Sequence, residues 1–142
     1  MSKVIVRFSI VEIDTLRGHE ALDNLKLKSL RDEIENDGIL KRPIVVDEKT
    51  YVVLDGHHRI GALRQLGCSK IPVYFVNYMS PKIGVEDSRS GEELPKDVVI
   101  KAGLSGNLLP PKSTWHYITF SEIRKHISHI QRRVDIPLKN LK

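Results

Sequence analysis

The stretch Val52-Val53-Leu54-Asp55-Gly56-His57-His58-Arg59-Ile60-Gly61-Ala62-Leu63 decides the fold, because an apolar run stops at Asp55-Gly56 and a helix-type pattern starts at once. A strand feeds a helix through a glycine turn. Gly56 takes a positive φ without steric penalty, and the first amides of the following helix lack intrahelical partners, so the turn offers donors and a positive dipole end to an anion. Arg59 adds a two-pronged grip on oxygen, and phosphate is the ligand this set suits best. His57 and His58, being adjacent, diverge by about 100° around a helix and do not converge on one metal, but each can donate to a phosphate oxygen. Asp55 beside a phosphate is repulsive unless it holds a cation or accepts a proton, a conflict that a magnesium-bound nucleotide resolves. A solvated strand-to-helix connection satisfies the same spacing, since the Walker lysine and serine are missing.

Working outward, Tyr51-Val52-Val53-Leu54 and Ile44-Val45-Val46 read as a hairpin around Asp47-Glu48-Lys49-Thr50, opened by Leu40-Lys41-Arg42-Pro43. Before it, Leu27, Leu30 and Ile34 give an amphipathic helix over Asn24 to Asn36, closed at Asp37-Gly38. The polar segment Asp14 to Asp23, which contains His19 and Glu20, is a loop, and from the residues alone Glu20 is an exposed carboxylate in it. Lys3 to Ile13 alternates as a half-buried strand with Val4, Val6, Phe8 and Ile10 on one face. Downstream, Ile60, Leu63 and Leu66 carry a short helix to Gly67, and Ile71 to Val76 forms a strand that Pro72 places near an edge or at its start.

Met79 to Glu93 is expected to be a surface excursion, and Pro95 to Leu104 a helix, with a strand through Val98 to Ile100 as the alternative. Leu108 to His116 reads as a loop that gathers Lys112, Ser113, Thr114, Trp115 and His116, a second candidate site. Phe120, Ile123, Ile127, Ile130 and Val134 recur at three and four, which predicts a C-terminal amphipathic helix with Ser121 as N-cap and Pro137 as its stop. His126 and His129 are then half-buried or solvated helix histidines, and Arg132, Arg133, Lys139 and Lys142 a solvated basic end.

At 142 residues and 16.2 kDa the chain fits one domain, and 23 Lys+Arg against 18 Asp+Glu give a net charge of +5, which suits an anionic ligand without choosing one. The single cysteine, Cys68, leaves no internal disulfide or thiolate metal cluster, and no N-terminal apolar segment marks a leader, so a cytoplasmic protein is expected. No apolar run approaches the roughly 20 residues that span a bilayer.

The run Asp55-Gly56-His57-His58-Arg59, with its apolar strand before and Ala62-Leu63-Arg64-Gln65-Leu66-Gly67 and Ile71-Pro72-Val73 after, resembles the nucleotide-binding motif of the ParB/sulfiredoxin superfamily. The upstream helix ending in Gly38-Ile39-Leu40-Lys41 and the Pro43-Ile44-Val45-Val46 strand recur in the same order. The resemblance covers roughly residues 4 to 78. It implies an α+β fold, a small mixed sheet flanked by helices, in a single domain over 1–142 whose extension, 79–142, ends in the amphipathic helix. Sulfiredoxins carry a catalytic cysteine directly after the turn glycine, where this chain has His57. Partition-type ParB proteins have Gly-Glu-Arg-Arg at the turn and continue into a helix-turn-helix, for which no pattern follows here; that argues against nucleic acid as a partner.

Within the superfamily the chain is most similar to the free L-serine kinases, in which the turn reads Asp-Gly-His-His-Arg, a His-Glu pair follows the first strand, and a Pro-Pro-Lys-Ser/Thr-Thr segment comes later. The counterparts are His19-Glu20, Asp55 to Arg59, and Pro110 to Thr114. Those kinases are longer, with added helices. The resemblance implies phosphoryl transfer from ATP or ADP to the hydroxyl of free serine, with magnesium. Glu20 is then the base for the serine hydroxyl, and Asp55 shares that role or positions magnesium. Gly56, His57, His58, Arg59 and Lys41 hold the donor; Lys112, Ser113 and Thr114 bind phosphate or the serine carboxylate; and His19, Trp115 and His116 face the substrate. The alternative from another class is a nucleotide-responsive DNA-binding regulator on the same core.

Overall fold

In the computed structural model, which describes residues 4–142, the chain runs through β1 (Ile5–Glu12), α1 (Asn24–Asp37), β2 (Ile39–Leu40), β3 (Ile44–Asp47), β4 (Val53–Asp55), α2 (His57–Gln65) and β5 (Lys70–Val76). It continues through β6 (Ile83–Asp87), α3 (Lys96–Ser105), β7 (Thr114–Phe120), β8 (Ile123–His126) and β9 (Ile136–Pro137). The first sheet has the order β1-β5-β3-β4, with β3 and β5 parallel and the outer pairs antiparallel. A second sheet, β6-β7-β8, is an antiparallel meander, and β2 pairs with β9. The fold is α+β. No helix among the described residues is long and apolar enough to cross a membrane.

Alternate residues of β3 point to opposite sides of the first sheet and so build two cores. On one side Ile44, Val46, Val73 and Phe75 meet Leu27 and Ile34 of α1 and Ile60 and Leu63 of α2. On the other, Val45, Leu54 and Val76 meet Ile83, Val85 and Ile118 of the second sheet, Val99 of α3, and Ile127. The extension therefore packs on the core.

The turn forms as its sequence predicts. Gly56 stands at φ 115°, and a Cβ built there falls 2.2 Å from Cγ2 of the fully buried Ile44. Backbone and space both demand glycine. Gly56→Ala is expected to lower the unfolding free energy by about 2–3 kcal/mol, from left-handed strain plus overpacking, as a urea titration reads. Gly38 closes α1 at φ 68° and Asp23 caps its start, accepting the Leu25 and Lys26 amides at 3.0 and 3.3 Å.

Four expectations are corrected. The face of β1 read as buried is the outer one: Val6, Phe8 and Ile10 are each more than 40% exposed, while Arg7 lies over the Phe75 ring at 4.0 Å on the inner side. β1 is an edge strand, and the second sheet covers the β3–β4 side without reaching it. Residues 79–93 are not simply an excursion, since β6 runs through them with Val85 fully buried. The stretch from Thr114 on is strand β7 instead of loop.

The predicted C-terminal helix is absent. Ser121 and Glu122 both take positive φ, 46° and 70°, and turn β7 back into β8, after which only two short 3₁₀ turns, Ile127–Ile130 and Leu138–Asn140, are helical among the described residues. Tyr117 to Phe120 is rich in aromatic and β-branched residues, which favour a strand. The apolar spacing is met instead by separate elements, with Phe120 and Ile123 exposed and Ile127 and Ile130 buried. Pro137 lies in β9. Pro72 sits in β5, an internal strand, near its start; the parallel ladder to β3 begins one residue later, at Val73. Pro95 to Leu104 resolves as α3, the only α-helix after α2 among the described residues.

Candidate active site

The site grows from the first turn of α2. His57 and His58, one after the other on the helix, each turn Nε2 toward the preceding loop: His57 accepts the His19 amide at 3.0 Å and His58 the Asp23 amide at 3.0 Å. An accepting Nε2 carries no proton, so both rings are Nδ1–H tautomers. The histidine pair thus pins both ends of the segment 19–23. Burial holds His57 well below the usual histidine range and lowers His58 as well.

The other side of that segment joins the extension, where Ala21 donates to Leu109 O and Leu109 to His19 O, each at 2.8 Å. Glu20 is thereby brought to the head of β7. Its Oε1 accepts the Thr114 amide at 3.0 Å and also the Thr114 hydroxyl, which leaves Oε2 for the cavity in front. His19 lies behind, fully buried, with Nδ1–H donating to Val53 O at 2.6 Å and burial pushing its pKa down to about 4.

Asp55 closes β4 and pairs with Arg59 one turn along, Nη2 to Oδ2 at 2.9 Å, while Arg59 Nη1 donates to Pro43 O at 2.6 Å. Burial lowers the Arg59 pKa, and the facing Asp55 charge opposes that. Gln131, delivered by the chain after the 3₁₀ turn, donates to the same Asp55 oxygen at 2.6 Å. His116 is buried, with Nε2 in a hydrogen bond to the Tyr78 hydroxyl at 2.9 Å; burial disfavours its charged form and pushes the Tyr78 phenol up.

In front of these groups lies a cavity of about 310 Å³. Of the residues singled out by sequence, Glu20, Asp55, Gly56, His57, His58, Arg59, Lys112, Thr114, Trp115 and His116 face it. His19 stands behind Glu20. Ser113 turns its hydroxyl onto Pro110 O at 2.7 Å, and Lys41 pairs with Asp37 at 3.2 Å in a neighbouring groove that shares Arg59 and Leu30 with the main cavity. Lys26, Ser88 and His126 also line the cavity. Ser88 lay in the supposed excursion, His126 on the supposed helix, and Lys26 between the two leucines of the first turn of α1, with no pattern to single it out.

The neutral histidines set a pH dependence. A histidine whose pKa is lowered by folding binds its proton more readily when unfolded, so stability is full above about pH 6.5 and falls as pH drops toward 4. At about pH 5.5 His19 alone removes about 1 kcal/mol, and His57 and His116 act in the same direction. Urea midpoints that fail to drop between neutral and mildly acid pH would contradict this.

Asp55 also bears on the binding of a divalent cation. One Asp55 oxygen holds two donors and the other takes none among the described residues, and no group of three His, Cys, Asp or Glu that could hold a metal occurs among them. That donor set fits a magnesium ion already carried by phosphate oxygens, which needs only one or two protein carboxylates.

The chain matches curated proteins in sequence over about half of its length. It is 36% identical over 78 residues to an ATP-dependent L-serine kinase of Desulfurococcus mucosus, a stretch that takes in 52% of this chain and 31% of that one. It is 29% identical over 84 residues to an ADP-dependent L-serine kinase of Thermococcus kodakarensis, covering 56% of this chain and 35% of that one. The matches thus span about a third of the curated relatives' length. A solved free serine kinase in complex with AMP superposes with a TM-score of 0.76 at 16% identity, over 99% of this chain and 95% of that one, and so shares the fold. Residues 2–83, which hold the first sheet, both of its helices and the Gly56 turn, match the model of the ParB N-terminal domain, and the chain belongs to that family.

Proposed function

We propose that the protein is a small-molecule kinase that moves the terminal phosphoryl group of ATP or ADP to the hydroxyl of free L-serine. The observation that carries this is the placement of Glu20: one carboxylate oxygen is held by Thr114, the other has no hydrogen-bond partner among the described residues, and the cavity that Glu20 lines is lined also by the N-terminal turn of α2. A base and a phosphate cradle face one space. Relatives are named for both donors, and nothing in the cavity selects one.

In this reading the free amides at the start of α2 and the Nδ1–H groups of His57 and His58 hold donor phosphate oxygens, since both Nε2 atoms are occupied. Arg59, Lys26 and Lys112 balance the charge that spreads over the transferred group. Asp55 would hold a magnesium ion carried by the nucleotide, which would supply further charge neutralisation. Oε2 of Glu20 removes the serine hydroxyl proton as the oxygen attacks phosphorus, and the donor's bridging oxygen leaves with the electron pair. Trp115 and His116, which also line the cavity, hold the amino acid. Free serine and nucleotide are the partners, in a cytoplasmic setting.

The test is incubation with L-serine, magnesium and either ATP or ADP, with O-phosphoserine followed by phosphorus NMR. Absence of product with both donors would overturn the reading.

A further inference from the structure

Behind the base, three contacts run in line: Val53 O to His19 Nδ1 at 2.6 Å, His19 Nε2 to Thr114 Oγ1 at 3.1 Å, and Thr114 Oγ1 to Glu20 Oε1. Each needs one hydrogen. A carbonyl only accepts, so the single proton of a neutral His19 ring sits on Nδ1, and Nε2 has none to give. Thr114 has one hydroxyl proton and two takers. With Glu20 ionised, three contacts share two protons, and the buried Nε2 is the acceptor left out.

We infer that the Thr114 hydroxyl is a two-position switch, directed at Glu20 Oε1 while the carboxylate is ionised and rotated to His19 Nε2 once Glu20 has taken up a proton. An ionised oxygen outcompetes an imidazole nitrogen for the hydroxyl, whereas the carbonyl oxygen of a neutral carboxyl does not. The Thr114 amide, 3.0 Å from Oε1, keeps the carboxyl in place through the exchange. The low pKa of His19, about 4 through burial, agrees with a neutral ring. Among the described residues neither neighbouring ring, His57 or His116 with centroids 4.6 and 5.6 Å away, hydrogen-bonds to His19 Nε2, and burial disfavours the charged form of both.

In the reaction, the serine O–H bond breaks and its proton goes to Glu20 Oε2, the new O–P bond forms, and the donor's terminal P–O bond breaks with its electrons. No covalent bond changes in Thr114 or His19; the hydroxyl only rotates. His19 Nε2 thus gains its donor in the proton-loaded state alone, and the gain favours proton transfer. Thr114 and His19 are positioning residues for Glu20. The switch itself is independent of the substrate, while its kinetic consequence rests on the serine-kinase reading.

Glu20→Gln imitates the neutral carboxyl. Long-range ¹H–¹⁵N NMR of the histidine side chains should show the His19 Nε2 resonance moving upfield in Glu20→Gln relative to the natural protein, as a nitrogen does on accepting a hydrogen bond. The same comparison made in a Thr114→Val background should show no movement, and Thr114→Ser, which keeps the hydroxyl, should restore it. An unmoved Nε2 resonance, or one that moves equally with valine at 114, would overturn the switch.

In turnover, His19→Asn retains a donor for Val53 O and deletes Nε2. It should lower kcat about five- to tenfold, the worth of one neutral hydrogen bond, with the KM for serine unchanged. A raised KM with kcat intact would make His19 purely structural. If the natural protein forms no phosphoserine at all, the kinase reading fails, and the NMR comparison still decides the switch.

Discussion

Glu20→Gln is expected to lower the rate of O-phosphoserine formation by about 10²- to 10⁴-fold, the usual contribution of a positioned base, and to leave nucleotide affinity as it was. The two halves of the expectation rest on different observations. Loss of rate follows because a neutral amide cannot take the hydroxyl proton, and no other carboxylate except the paired Asp55 lines the cavity. Unchanged affinity follows because the loop is held by His57, His58 and the Leu109 backbone, none of which depends on the Glu20 charge. Rate constants from single-turnover assays and nucleotide affinity from calorimetry separate the halves. A variant that loses binding while retaining rate would move Glu20 from the acceptor side of the site to the donor side.

Why that pairing escapes composition and spacing is a matter of distance along the chain. The Gly56 turn was legible because its requirements are local: an apolar run, a residue free to take positive φ, and a helix pattern within twelve residues. The Gly38 stop and the β3–β4 hairpin were legible on the same grounds. The placement of Glu20 was not, for its carboxylate is oriented only by the amide of residue 114, ninety-four positions on. Only the resemblance to the serine kinases singled it out. His57 and His58 line the cavity, yet their Nε2 atoms hold backbone amides of a distant loop, a contact with no signature in spacing.

The errors of the extension have a related cause. Apolar residues at three and four are required of a helix but not exclusive to one, and Phe120, Ile123, Ile127 and Ile130 meet the pattern across a hairpin and a 3₁₀ turn. The deciding feature is the pair of positive φ angles at Ser121 and Glu122, which neither residue type advertises. In β1 the alternation was right and the face was reversed, because which face is covered depends on where the second sheet ends. Gln131 went unnoticed for want of any local pattern, though it delivers the tail to Asp55.

That last contact makes Asp55 the point where β4, α2 and the tail meet, and Asp55→Ala is expected to lower the unfolding free energy by about 3 kcal/mol. The Asp55 and Arg59 side chains are only 21% and 18% exposed, so removing one partner leaves a guanidinium without its counter-charge in a poorly solvated place. Removing both, as Asp55→Leu with Arg59→Met, should cost less than the sum of the single changes, since no charge is then stranded. Urea titrations of the three variants decide this, and additive losses would mean that the pair is solvated. Nucleotide affinity supplies an independent sign. By Coulomb's law alone, deleting a carboxylate beside bound phosphates tightens binding; if Asp55 instead orients Arg59, whose Nη1 is held on Pro43 O at 2.6 Å, deletion weakens it. The fixed geometry favours weakening, because an arginine grips phosphate through its orientation as well as its charge. Tighter binding in Asp55→Ala would assign Arg59 to scaffolding and leave the helix amides, Lys26 and Lys112 to hold the donor.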